Sequence, residues 1–280
     1  MTSLIAPSAA GKVVLDVTPT QEQKATAFRA LHDGEPFVIP NPWDAGSARV
    51  LAALGFKALA STSSGFAFTL GRLDGDVALD EVVQHTAALD EATDLPLSVY
   101  LENGYGAEPE AAALAVTRVA EAGAVGASIE DYDPSGRIYE HGQAVERVAA
   151  AVEAARALSF PFTLTARAEN HIRGNPDLAD TIARLQAFAG AGADVLYAPG
   201  LQTTEEIRAV CEAVSKPVNV LARPTLTVAD IVGAGAQRIS VGGSLTWVAV
   251  NAVAAAGRAI RDEGDFSLLT PSPPLGEWFA

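Results

Sequence analysis

The chain has 280 residues, 49% of them hydrophobic, which allows one large core or two modest domains. Acidic residues outnumber basic ones 34 to 19, giving a net charge of −15 with no cluster of Lys and Arg, which excludes nucleic acid and anionic membrane surfaces as partners. The single cysteine, Cys211, excludes an internal disulfide and a multi-cysteine metal site, and the longest apolar runs, such as 248–256, are too short and alanine-rich to span a bilayer.

Residues 1–20 carry Pro, Ser and Thr without periodicity and read as a flexible arm. The stretch 1–7 lacks a basic region leading into an apolar core, so no secretion signal is expected and a cytoplasmic location fits. From there eight short apolar runs recur, at 37–40, 58–60, 97–101, 125–129, 162–166, 195–197, 218–221 and 239–241. Between them lie alanine-rich stretches with helical spacing, among them 108–122, 144–157 and 177–191. A further helix over 205–214 carries Cys211. Near-continuous apolar strands separated by helices predict a parallel sheet covered on both faces. Phrases such as Ala122-Gly123-Ala124 and Ala234-Gly235-Ala236 read as helix ends leading into strands. Eight such units predict an α/β fold of the (β/α)8 TIM-barrel type over residues 21–262, rather than an open sheet, since no Gly-x-Gly-x-x-Gly turn follows the first strand. The remainder, 263–280, is a proline-rich tail ending in Trp278 and Phe279, able to pack on a neighbouring subunit or on its own barrel.

Three strand ends carry the chemistry. Leu97-Ser98-Val99-Tyr100-Leu101-Glu102 leads into Asn103-Gly104-Tyr105-Gly106, Ser128-Ile129 ends in Glu130-Asp131, and Thr165-Ala166 ends in Arg167. A charged side chain at the C-terminal end of a barrel strand, before a turn whose glycines admit a ligand, is how such barrels build active sites. Each also has a plain structural reading: Glu102 and Asp74 as turn residues, Glu130 as an ion-pair partner, Asn219 serving its own loop. Of the histidines, His32 and His85 read as helix-surface residues, and His141 and His171 as exposed loop residues.

In order and spacing, these segments resemble the isocitrate lyase/phosphoenolpyruvate mutase superfamily from about residue 37 to 261. The matching elements include Pro42-Trp43-Asp44 after the first strand, Thr62-Ser63-Ser64-Gly65, Gly71-Arg72-Leu73-Asp74-Gly75, Glu102-Asn103-Gly104-Tyr105-Gly106, Glu130-Asp131, Arg167, Pro217-Val218-Asn219 and Gly242-Gly243-Ser244. The resemblance implies a Mg²⁺-dependent carbon–carbon lyase or decarboxylase acting on a small 2-oxo or hydroxy carboxylate. Its hard cation would stabilise the charge of an enolate intermediate. It further implies Glu102 and Glu130 on the metal side, Trp43, Thr62, Ser63, Ser64 and Asn219 around the substrate, Arg167 gripping a second carboxylate, and Asp74 over the site.

Two departures stand out. Tyr100 occupies the position where the family usually has its first metal-side acid; a phenol is a poor Mg²⁺ ligand at neutral pH. The metal is then held by Glu102, Glu130 and Asp131, or is absent, and Tyr100 becomes a catalytic hydrogen-bond donor to an enolate oxygen. The loop after the fourth strand, 131–141, has neither the Lys nor the Cys of the usual lyases, which leaves Tyr132, Tyr139, Glu140 and His141 as proton-transfer candidates. The alternatives are a phosphonomutase-like C–P enzyme, for which Arg137, Arg167 and Arg223 are the available cations, and an altered barrel that binds a 2-oxo acid without cleaving it. The resemblance also implies a homodimer or homotetramer that exchanges a C-terminal helix. Here that helix covers 245–262 and is apolar nearly all round, as burial between two surfaces requires.

Overall fold

The structure, a computed structural model, describes residues 18–279; the expected arm at 1–20 lies almost wholly outside them. Eight parallel strands form the barrel: β1 (Phe37–Ile39), β2 (Leu59–Ala60), β3 (Leu97–Tyr100), β4 (Gly126–Glu130), β7 (Thr163–Arg167), β8 (Val195–Tyr197), β9 (Val218–Leu221) and β10 (Arg238–Ser240). A two-stranded antiparallel hairpin, β5 (Tyr132–Asp133) and β6 (Arg137–Ile138), follows β4. All eight apolar runs are barrel strands, and the expected helices fall within a few residues of α5 (Pro109–Glu121), α6 (His141–Arg156), α7 (Leu178–Gly190), α8 (Thr204–Ala213) and α10 (Ser244–Glu263). The strands run in the order β1-β10-β9-β8-β7-β4-β3-β2. Between the two ends of that order, the Ala60 amide donates to the Pro40 carbonyl at 3.0 Å.

Asn41 fastens the same seam. Its Nδ2 donates to the Ser61 carbonyl (2.8 Å), and its Oδ1 accepts from the amides of Val241 and Gly242 (2.9 Å each), so one buried side chain ties the ends of β1, β2 and β10.

Period-2 alternation divides the strands between two environments. Val99, Ala127, Ile129 and Leu164 face outward into one helix-covered core, and Ala166, Leu196, Val220 and Ile239 into another. The inward set is more polar and aromatic. Tyr100 and Tyr197 pack with Phe37 and Ile39, and helix α1 (Gln21–Asp33) stoppers the N-terminal end with Ala25 and Phe28. The Phe28 ring requires glycine opposite it: a Cβ on Gly126 would sit 2.8 Å from its Cε1. Below the tyrosines lies Arg238, fully buried and bonded only to neutral partners. These are Asn219 Oδ1 (2.8 Å), Thr165 Oγ1 (2.9 Å) and His32 Nε2 (3.2 Å). His32 is therefore a buried acceptor from the guanidinium, with Nδ1–H donating to the Phe28 carbonyl at 2.9 Å. Burial, then Arg238, pushes it down to about 3.

The other histidine expectations need similar revision. His85 is buried against Phe66, ring centroids 3.9 Å apart, with Nε2 bonded to the Trp43 carbonyl (3.0 Å). His171 is buried as well, beside Thr181. Of the four, His141 is the one left exposed, at the start of α6. At the C-terminus a short helix, α11 (Leu275–Trp278), docks on its own barrel against α2 (Ala45–Ala53), with the Arg49 guanidinium 5.7 Å over the Phe279 ring. No helix among the described residues is long and apolar enough to cross a membrane.

Candidate active site

The turn after β3 places the first functional groups. Glu102 (φ +48°) and Tyr105 (φ +63°) both hold left-handed backbone, which costs a non-glycine residue about 1 kcal/mol or more. Gly104 (φ +79°) has no alternative, since a Cβ there would lie 2.8 Å from the Ala112 backbone. What holds this conformation is Arg147 of α6. Its buried guanidinium donates to the carbonyls of Asn103, Gly106 (2.8 Å), Ala107 and Glu108 (3.1 Å), and lies 4.6 Å over the Tyr139 ring. Asn103 Nδ2 in turn donates to Tyr139 Oη (2.9 Å). The turn is thus fixed from beneath while the Glu102 carboxylate stands above the strand.

It stands in a cavity of about 290 Å³ at the C-terminal end of the barrel. Ser63 contributes from the β2 side, where Thr62 caps helix α3 (Ser63–Thr69). Asp74, Gly75 and Asp76 come from the next loop, which runs to helix α4 (Leu79–Ala92). Glu130 comes from the end of β4, Tyr132 and Pro134 from the hairpin, and Arg173 from beyond β7. Burial, then the neighbouring Asp74, pushes Glu102 up to about 7.

Beneath the cavity is a buried ion network. Arg167 pairs with Glu130 (2.8 Å) and Glu169 (2.7 Å), and its guanidinium packs between the rings of Tyr197 (4.8 Å) and Tyr100 (5.3 Å). Arg173 adds contacts to Glu169 (3.2 Å) and Glu130 (3.7 Å) and stacks 3.9 Å from the Tyr132 ring. Burial raises the Glu130 carboxyl against the pull of both guanidiniums. Around the cavity and just under it, five carboxylates (Asp74, Asp76, Glu102, Glu130, Glu169) face two guanidiniums. That imbalance favours a cation. No three or more acidic, His or Cys side chains among the described residues converge into a metal cage, so a hard ion would be held by one or two carboxylates and largely through water, as suits Mg²⁺.

The structure brings Ser63, Asp74, Glu102 and Glu130 to one cavity, as expected. Other expected residues fall elsewhere. Tyr100 lies in the barrel core under Arg167, its hydroxyl buried with no hydrogen-bond partner among the described residues and not lining the cavity. Arg167 is occupied by two carboxylates, because a buried guanidinium at a strand end needs counter-ions. Asn219 spends its amide on Arg238 and Ser240 (2.9 Å) deep in the barrel. Asp131 turns away to the Glu169 amide (2.7 Å) and Arg184 (3.0 Å). Thr62 and Ser64 pair with each other at the head of α3 (3.3 Å), and Trp43 packs over Gly65 nearby. Among the loop candidates Tyr132 lines the cavity, Tyr139 is buried under Arg147, and Glu140 and His141 are exposed.

Sequence reasoning passed over Arg173, Asp76, Asn103 and Glu169. For Glu169 a signal existed: two residues beyond Arg167, an acid is its natural partner. Arg173 gave none, since its reach depends on the path of the loop.

The phosphoenolpyruvate phosphomutase family profile matches residues 28–261. This chain belongs to that family. It is an enzyme of the isocitrate lyase/phosphoenolpyruvate mutase superfamily, and its relatives in the superfamily are lyases and decarboxylases. The 2-methylisocitrate lyase of Halalkalibacterium halodurans is 29% identical over 264 residues, 90% of this chain and 86% of its own. The oxaloacetate decarboxylase of Paraburkholderia xenovorans is 33% identical over 221 residues, 74% and 70% of the two chains. A crystal structure of a Burkholderia cenocepacia protein, provisionally described as a lyase/mutase, superimposes with a TM-score of 0.89 at 49% identity, covering 93% of this chain and 96% of that one. This family member differs from the expected pattern at Tyr100, and the structure gives that tyrosine a clear physical place as a face for the Arg167 cation.

Proposed function

We propose that the protein is a Mg²⁺-dependent lyase that breaks, or decarboxylates at, a C–C bond of a small 2-oxo or hydroxy carboxylate. The observation that carries this reading is the carboxylate-lined cavity at the C-terminal end of the barrel, where Glu102 is pushed up to about 7. An anionic substrate entering such a field is repelled unless a cation accompanies it. Glu102 and Glu130, with Asp74 beside them, would hold that ion, which when bound supplies electrophilic stabilisation to the oxygen that gains charge as the bond breaks.

The chain's own side chains do the rest. Arg173 is the guanidinium at the cavity wall and pairs with a substrate carboxylate. Ser63, at the start of α3, offers a hydroxyl on the opposite side. Arg167 pairs with Glu130 and Glu169 and holds them in place without itself leaving the core. Asn103, fixed by Tyr139, keeps the Glu102 turn in register with the cavity. The hairpin residues Tyr132 and Pro134 wall one side against water. A phosphonate substrate is disfavoured because Arg137 is engaged with Asp133 (3.2 Å) and Arg223 does not line the cavity.

A homo-oligomer built on α10 belongs to the same proposal. Of its 20 residues Thr246 is buried, while Val248 and Val253 are 66% and 73% exposed. A cytoplasmic setting suits a substrate of this class. The test is calorimetric titration of Mg²⁺ with and without oxalate. Oxalate-dependent binding that disappears in Glu102→Ala supports the reading, and no metal binding under either condition overturns it.

A further inference from the structure

Beside the acidic cavity lies a second, larger one of about 590 Å³, and the two share Gly75, Glu102, Asn103 and Pro134. Their walls differ in kind. The second is built from Ala78, Leu79, Ala107 and the rings of Tyr105 and Tyr139, between the turn after β3 and the β5–β6 hairpin. Its charged lining side chains are Glu102, common to both cavities, and Asp133, already engaged with Arg137 and Ser135. Among the described residues no Lys or Arg lines it. A second carboxylate or a phosphonate placed there would meet only negative charge, uncompensated and partly desolvated. An alkyl or aryl group would instead exchange water for methyl and ring surface.

We propose that this second cavity receives an apolar branch of the substrate, so that the enzyme acts on a 2-oxo or hydroxy acid with its carboxylate head at Glu102 and an alkyl or aryl substituent between Leu79, Tyr105 and Tyr139. The inference rests on the lyase reading of the acidic cavity and narrows its substrate class. Small diacids such as oxaloacetate leave this cavity unfilled.

The test uses oxamate and its N-methyl, N-propyl and N-benzyl derivatives, which keep a 2-oxo acid head and lengthen only an apolar branch. Binding to the full-length protein with Mg²⁺ is measured by calorimetry. The expected result is about fourfold tighter binding per buried methylene. Ala78→Phe fills the cavity from an exposed position outside the acidic site. It is expected to abolish the gain for propyl and benzyl while leaving oxamate unchanged. Oxamate binding with a flat or falling series overturns the apolar-branch inference alone. Failure of every member, oxamate included, overturns the metal-dependent reading of the site together with it.

Discussion

Arg147 shapes the site without lining either cavity. Replacing it with Ala removes four donated hydrogen bonds from the Asn103–Glu108 turn. The bond to Asn103 is buried, so that carbonyl is orphaned at a cost of about 1–3 kcal/mol; the other three are part-buried, can turn to water, and lose about 0.5–1 kcal/mol each. Folding of the variant no longer desolvates a guanidinium, which offsets part of this and leaves a net loss of about 3 kcal/mol, a large share of a typical 5–15 kcal/mol. Arg147→Lys supplies a point charge that cannot span from Asn103 to Glu108, and is expected to lose about half as much. Urea denaturation followed by far-ultraviolet circular dichroism measures both, with the m-value unchanged. A loss below about 1 kcal/mol in the Ala variant, or a Lys variant equal to wild type, would refute the view that this guanidinium holds the turn.

Arg167→Met strips Glu130 of its 2.8 Å partner and Glu169 of one of its two guanidiniums, leaving Arg173 as their remaining cation. It is expected to cost about 3 kcal/mol, with thermal melts showing a greater loss at pH 8 than at pH 5, where the raised Glu130 carboxyl can protonate. For Glu102 the folded-state pKa of about 7 lies above its ordinary 4.5, so the folded protein binds the extra proton and stability contributed by this group falls as pH rises between those values. In metal-free protein Glu102→Gln should remove that decline; an unchanged pH profile would count against the burial argument. His85 has the opposite sign: pushed down to about 4, it protonates more readily unfolded, so its contribution is lost as pH falls below 6.5. His85→Gln should make the acid side of the stability profile shallower. If the proposed homo-oligomer is built on α10, Val253→Glu, at a 73% exposed position, should lower the mass seen in light scattering to that of a monomer. A wild-type mass already monomeric, or a mass unchanged by the substitution, would reject α10 as the interface.

The eight strands were legible because each is a compact apolar run, most with an end marked by glycine, proline or a charge. Burial within helices was harder to read. His32 lies one turn beyond Phe28, on the face that stoppers the barrel, a spacing that signals burial once Phe28 is known to point inward. Inward-facing positions of short strands posed a different difficulty. Tyr100 and Asn219 both face the barrel interior, but period-2 alternation says nothing about which end of the strand a long side chain reaches. Glu102, Glu130 and Asp74 were visible at strand ends and in a turn. Arg173 and the apolar cavity depend on how two loops lie against each other, which no local pattern encodes.

The Asn41 clasp has a consequence for how the chain matures. It joins the first strand to residues 241 and 242, about 200 positions later, so the barrel stays an open ribbon during synthesis until its last strand has emerged. Closing so long a loop adds little to its entropic cost, about 0.6 kcal/mol per doubling of length. Its timing is another matter, because contacts of such separation form late and slowly. Until then the free edges of β1 and β2 lie exposed to other nascent chains, and a substitution at Asn41 would be felt first as poor yield of folded protein rather than as altered catalysis.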